Sequence, residues 1–205
     1  MDESLRHDQR AAPELPEEEA DRLRARLRAG ELSEEQLRLA AYLDHPAARA
    51  VLERPPARPA VLDLTSYTAG RGLARGQQLE VAAWIRGLEA WGPQVCARGL
   101  AALAERLIAH VPHGLEAATR LCQAVRAASA EEVEAAEAEV AEVLSELEGR
   151  DTVPALIALN SCQAALDASA ALRGQPPQLS SMVSLLSPRE IVITLQTALW
   201  PLALG

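Results

Sequence analysis

A chain of 205 residues with a hydrophobic fraction of 49% fits one compact domain, or one domain with a small appendage, and needs no disulfide or metal staple to hold a core. Phe is absent and Tyr42, Tyr67, Trp84, Trp91 and Trp200 are the aromatic residues; a core of Ala, Leu and Val suits close helix packing rather than a sandwich of strands. All 20 basic residues are Arg and the formal net charge is −9, which argues against sequence-independent nucleic-acid binding and against docking on anionic lipid, and leaves room for a basic protein partner.

Cys96, Cys122 and Cys162 are odd in number, widely spaced and set in apolar helical contexts, so they read as structural thiols of a reducing compartment. Met1 to Ser4 lacks the basic and apolar regions of a signal peptide, and the apolar run from Ile191 to Leu204 is short for a bilayer crossing and contains Pro201. The expectation is a cytoplasmic protein that contacts no membrane.

Residues 1–16 are polar and aperiodic and read as a disordered tail. A first helix is predicted from Pro16 and Glu17, with Glu17, Glu18 and Glu19 at its positive end, Ala20, Leu23 and Leu27 on one face and Gly30 as its stop. Ser33-Glu34-Glu35-Gln36 is a capping box that opens a second helix to about Leu43. Asp44 is then expected to cap a short third helix from Pro46 to Leu52, which completes an N-terminal helical subdomain over 17–52.

From 53 to 77 Pro55, Pro56, Pro59, Gly70, Gly72 and Gly76 interrupt any continuous face. This stretch reads as an irregular linker or packed loop, in which Ala60 to Leu64 packs onto the helices or forms a strand. The main helical domain follows over 78–205. Its first helix spans Gln77 to Trp91; Gly92-Pro93 ends it and starts the next, which carries Cys96, Leu100, Leu103, Leu107 and Val111 to a stop at Pro112. Another helix runs from Gly114 to about Ala128, and Ser129-Ala130-Glu131-Glu132 is a second capping box, leading Val133, Ala136, Val140, Val143 and Leu147 to Gly149. Thr152 is placed to cap a helix through Leu172, Gly174 stops it, and Leu179 to Leu186 is a candidate short helix. Ile191-Val192-Ile193-Thr194 has strand composition, but Ser187, Pro188 and Glu190 place a cap, a first-turn proline and a capping-box carboxylate in register, which favours helix. The fold class is therefore all-α, an orthogonal bundle of about eight or nine helices, with a HEAT-like α-solenoid as the second choice.

No catalytic, cofactor or metal constellation emerges. Pro112 breaks the helix between His110 and His113, which then read as surface histidines at a helix end, and His7 and His45 have no ligand-like neighbours. Gly70, Gly72 and Gly76 lack the strand-to-helix setting and Lys of a phosphate loop. Two features point outward to a partner. Glu131 to Glu148 contains eight glutamates and no basic residue, and like charges at i,i+4 together with Glu146 and Glu148 at the negative helix end carry a cost that a cationic partner relieves. Trp84 and Trp91, seven apart, form either a core stripe or, where exposed, an interface anchor, and Trp200 lies in an apolar terminus that must pack somewhere.

The stretch from Leu27 through Gly30-Glu31-Leu32-Ser33-Glu34-Glu35-Gln36 to Tyr42-Leu43-Asp44-His45-Pro46 and Arg49, followed by Trp84-Ile85-Arg86-Gly87-Leu88-Glu89-Ala90-Trp91-Gly92, resembles a group of uncharacterised, alanine-rich helical proteins of GC-rich bacteria, some labelled putative immunity proteins. The resemblance covers the N-terminal half, departs beyond about Ala109 and carries no catalytic residues over. It implies a toxin-neutralising or scaffolding role. The sequence thus leads to a non-enzymatic protein-interaction module, an immunity-type protein or adaptor, with Glu134, Glu139, Glu142 and Glu146 facing a basic partner and Trp84, Trp91 and Trp200 as anchors. The alternative is a self-assembling structural or regulatory protein with Ile191 to Leu204 as its subunit interface.

Overall fold

Serine chemistry starts two of the helices as the spacing predicts. In the computed structural model, which describes residues 16–60, 62, 75–111, 113–179, 182 and 185–205, Gln36 N–H donates to the Ser33 hydroxyl at 3.1 Å and Ser33 N–H to the Gln36 side chain at 2.8 Å. Ser187 and Glu190 repeat the reciprocal pair at 3.2 and 3.0 Å. Thr152 accepts from Ala155 N–H at 3.4 Å. The box expected at Ser129 does not close: Ser129 occupies the cap position, but its side chain makes no capping bond. Asp44 does not cap the third helix either; it takes a left-handed φ of 63°, and the next residue, His45, caps instead.

The helices so bounded are α1 (Pro16–Ala29), α2 (Glu34–Tyr42), α3 (Pro46–Val51), α4 (Arg75–Arg86), α5 (Pro93–Ile108), α6 (Glu116–Ala127), α7 (Ala130–Leu147), α8 (Val153–Leu172) and α9 (Pro188–Leu204), with a 3-10 segment, Gly87–Trp91, between α4 and α5. Among the described residues there is no strand, and the fold is an all-α bundle of packed helices. The segment with strand composition follows the first turn of α9, where the capping box and Pro188 outweigh β propensity. Of Ala60 to Leu64, Leu62 is buried beside a short 3-10 turn; Val61, Leu64 and the predicted tail as far as Leu15 lie outside the described residues, as do several positions between Leu179 and Leu186.

Two compact units divide the chain, one running through Ala57 and the other from Arg58 to Ala203. In the first, α3 packs on both α1 and α2, and His45 is its hub. The ring is buried; Nδ1 accepts from Ala48 N–H at 3.4 Å, and Nε2 lies 3.4 Å from Glu19 Oε1 on α1. This requires the neutral ring with its proton on Nε2. Arg49 adds a second clasp, donating at 3.1 Å to the carbonyls of both Ala41 and Pro56.

In the second unit the most extensive pairing joins α5 to α8. α5 brings Ala97, Ala101 and Ala104 among its buried residues, and α8 brings Ala158, Ser161, Ala165 and Ala168, so short side chains let the two backbones approach. α6 packs on α5, α7 and α8. A solenoid would confine each helix pair to its sequence neighbours; the dominance of α5 with α8, which are not consecutive, makes this a bundle. α9 buries Ile191, Leu195 and Leu199, and Gly99 is its seat: a Cβ there would stand 3.0 Å from Leu88 Cδ1, 3.1 Å from Leu195 Cδ2 and 3.4 Å from Leu199 Cδ1.

Gly99→Val is therefore expected to overpack this junction and lower the unfolding free energy by about 2 kcal/mol in a urea titration. Burial lowers the pKa of His45 against the opposing pull of Glu19. Its contribution to stability is thus present above the ordinary value near 6.5 and is lost as pH falls toward the lowered folded value. His45→Asn, which can cap without titrating, is expected to flatten the pH dependence of unfolding between about pH 7.5 and 5 while removing about 1 kcal/mol at pH 7.5 through loss of the Glu19 contact.

Candidate functional site

α7 is tethered to its bundle along a narrow line. Val133, Ala136 and Val140 are buried, Val143, Leu144 and Leu147 half-buried, and this stripe at three- and four-residue spacing leaves the rest of the circumference to glutamate. Two of the eight glutamates are answered. Arg120 on α6 pairs with Glu139, while Arg173, just beyond α8, reaches Glu137 at 2.6 Å and the Ser169 hydroxyl donates to the same carboxylate oxygen at 2.5 Å. These pairs fix the two flanks of α7, one toward α6 and one toward α8. Glu131, Glu132, Glu134, Glu142, Glu146 and Glu148 are exposed and make no ion pair among the described residues. Of the glutamates singled out from sequence, Glu134, Glu142 and Glu146 thus stand free on the surface, and Glu139 is held by an arginine that sequence reasoning did not connect to it.

The tryptophans separate. Trp84 is 5% exposed and belongs to the core of its unit, which corrects its candidacy as an anchor: it offers a partner little surface. Trp91, in the 3-10 segment, and Trp200, on α9, are half-buried. The continuous helix expected from Gln77 to Trp91 tightens to 3-10 geometry after Arg86, so the seven-residue spacing does not place both rings on one α-helical face.

A groove of about 560 Å³ lies between α5, α6 and α9. Ala102, Ala109, Ala198 and the 49% exposed Ile193 line it with Thr194 and Thr197. At its rim Arg126 pairs with Glu105 at 3.0 Å and Arg106 with Glu190 at 2.7 Å, with His110 Nε2 3.6 Å from Glu190. Burial acts to raise the Glu190 pKa, but the Ser187 N–H and hydroxyl and the Arg106 guanidinium outweigh it and hold the carboxyl below its ordinary value. The rim charges are satisfied by one another. Nothing in the sequence links them, since the partners lie 84 and 21 residues apart.

Nucleophile chemistry finds no support in the thiols. Cys96, Cys122 and Cys162 are buried and free, and burial pushes their pKa values up to about 11, 12 and 11, so they stay protonated at neutral pH. Among the described residues no group of three His, Cys, Asp or Glu side chains is arranged to hold a metal ion. One helix among them, α8, is long and apolar enough to cross a membrane by length and composition, with mean hydropathy 1.3; 56% of that window is buried within the fold.

α8 also holds the least expected charge. Asp167 is 5% exposed, its Oδ2 has no hydrogen-bond partner among the described residues, and Gln163 reaches its other oxygen at 3.5 Å. Burial pushes its pKa up to about 6, opposed by hydrogen bonds from Gln163 and the Gln178 backbone. No protein-family model, curated protein or solved structure matches the chain.

The fold favours the acid form of Asp167, so its penalty is absent below about pH 4 and grows as pH rises through the folded value. Asp167→Asn is expected to stabilise the protein by about 1 to 2 kcal/mol at pH 7.5 and by almost nothing at pH 4; urea titrations at the two pH values measure the difference.

Proposed function

We propose that the chain is a non-enzymatic protein-interaction module, an immunity-type protein or adaptor, that binds a basic protein partner through α7. The observation that carries this reading is the row of six exposed glutamates along that helix and at its C-cap that make no ion pair among the described residues. Self-repulsion along a helix costs stability, and a cationic partner converts that cost into attraction, a faster encounter and discrimination against acidic competitors. The immunity-type role comes from the resemblance of the N-terminal half to a group of alanine-rich helical proteins, some of which are labelled as immunity proteins. Self-assembly through Ile191 to Leu204 has less support, because α9 turns Ile191, Val192, Leu195, Leu199 and Ala203 inward and leaves Ile193 as its exposed large apolar side chain.

Glu134, Glu142 and Glu146 changed together to Arg test the reading, with circular dichroism as the check on folding. In affinity capture from the source cells, the native chain is expected to retain a basic protein at about 50 mM salt and release it near 0.5 M, where screening is nearly complete. The triple variant is expected to retain it at least roughly tenfold less well, a loss of about 1.4 kcal/mol. Equal retention with an unchanged salt profile would sink the proposal.

A further inference from the structure

The groove between α5, α6 and α9 has a charged end and an uncharged one. α9 passes α5 in the opposite direction, since Glu190 meets Arg106 while Leu195 and Leu199 lie against Gly99. Of the lining residues, Glu105, Arg106, Ala109, Arg126 and Glu190 therefore gather at one end and Ala102, Thr197 and Ala198 at the other, with Ile193 and Thr194 between. Ala102 to Ala109 covers about 10 Å of α5, and Glu190 to Ala198 about 12 Å of α9. With a volume of about 560 Å³, these dimensions suit one small molecule and are too short for a partner helix of several turns.

The rim pairs cancel charge without exhausting hydrogen-bond donors. Every carboxylate oxygen there is engaged: Glu190 Oε2 accepts from the Ser187 N–H and hydroxyl, its Oε1 accepts from Arg106, and both oxygens of Glu105 face Arg126 Nη1 at 3.3 and 3.0 Å. A guanidinium carries several N–H donors, and Arg106 and Arg126 each commit a single terminal nitrogen to these bonds. The two arginine side chains are about half exposed and the two glutamates less than a third, so donors stand nearer to solvent than acceptors. Arg189, one turn before Ile193 on α9, is exposed and makes no ion pair among the described residues, and basic groups outnumber acidic ones at this end. A head that accepts hydrogen bonds and a body that is apolar match the two ends in order. We propose that the groove binds a free small organic carboxylate with an apolar body, its head held by Arg126 and Arg106 and its body laid over Ile193, Ala102 and Ala198. An ion pair as exposed as Arg126 with Glu105 contributes little, so Arg126 turns to such a head at small cost. The glutamate surface of α7 plays no part in this site.

Amide chemical shifts of the isotope-labelled full chain test it at about pH 7.5 with octanoate and phenylbutyrate as probes, phenylbutanol and phenylbutylamine as the same body with a neutral or cationic head, and acetate as the head alone. One or both apolar carboxylates are expected to saturate, to move the amides of Ala102, Ala109, Thr194 and Thr197, and to bind at least about tenfold more tightly than the alcohol, the amine or acetate. Arg126→Gln, at an exposed position, is expected to bring the carboxylates down to the level of the alcohol and to leave the alcohol unchanged. Thr197→Trp, also exposed, fills the groove and is expected to weaken the carboxylates at least about tenfold with an unchanged circular dichroism spectrum. Absence of saturation by either carboxylate below about 10 mM, shifts centred outside the groove, or indifference to Thr197→Trp overturns the site. Equal binding of acid, alcohol and amine, or indifference to Arg126→Gln, shows an apolar patch without a carboxylate head site and overturns it as well.

Discussion

Close approach of α5 and α8 is the constraint on which the second unit depends. Ala97, Ala101 and Ala104 on one side and Ala158, Ala165 and Ala168 on the other are all buried, and their short side chains give a seam in which backbone, rather than large side chains, fills the volume. Dispersion across such a seam is gained over many small contacts, each individually weak. Bulk is supplied around it by Leu100, Leu103, Leu107 and Leu121, fully buried on α5 and α6. α9 depends on the same smallness, since Leu195 and Leu199 reach α5 at the one position there that carries no side chain, Gly99. The alanine-rich composition, which in the sequence already suited close helix packing, is in this unit the material of that packing.

Helix boundaries were largely legible because they are set by local chemistry. Ser33 with Gln36, Ser187 with Glu190, Thr152, and the left-handed glycines Gly30, Gly92, Gly149 and Gly174 mark starts and stops close to where they were expected. The errors are also local and instructive. At Asp44 the chain puts the acidic residue in a left-handed turn, and the neighbouring imidazole, with an acceptor nitrogen of its own, takes over the cap. Ser129 follows Ala128, itself left-handed at φ 55°, and its hydroxyl makes no bond to the first turn of α7 although the motif is complete in sequence. A motif states which atoms are available; the direction of the entering chain decides whether they meet.

The candidate surface was legible in part, and the division follows sequence distance. The glutamates of α7 are contiguous, so their excess charge is visible in one line of text; the arginines that answer two of them stand 19 and 36 residues away and emerge only with the packing of α6 and α8. Trp84 and Trp91 show the converse. Their spacing promised a shared face, but the tightening at Gly87 changes the rotation per residue between them. α8 was least legible of all, because an apolar helix with one aspartate is expected to leave that aspartate in water, and here Asp167 is 5% exposed beside Gln163, Ser161 and Ser169 are buried, and Leu156 is exposed. Periodicity assigns faces from polarity, and a helix whose tight seam selects residues by size rather than polarity escapes that rule.

Glu190 has a consequence for the order in which the second unit assembles. One oxygen of its carboxylate accepts from Ser187 N–H and the Ser187 hydroxyl at the start of α9, while the other meets Arg106 on α5. The first set is made within a few residues and is available as soon as a turn nucleates; the second exists only once α5 has formed and stands alongside. A nucleus that is costly to form in an isolated helix is thereby held by a group whose remaining valence is satisfied by tertiary structure. Helix initiation and docking share a single carboxylate, and α9 is built to fold as part of its neighbour's surface, so that fraying of its first turn and release from α5 are one event.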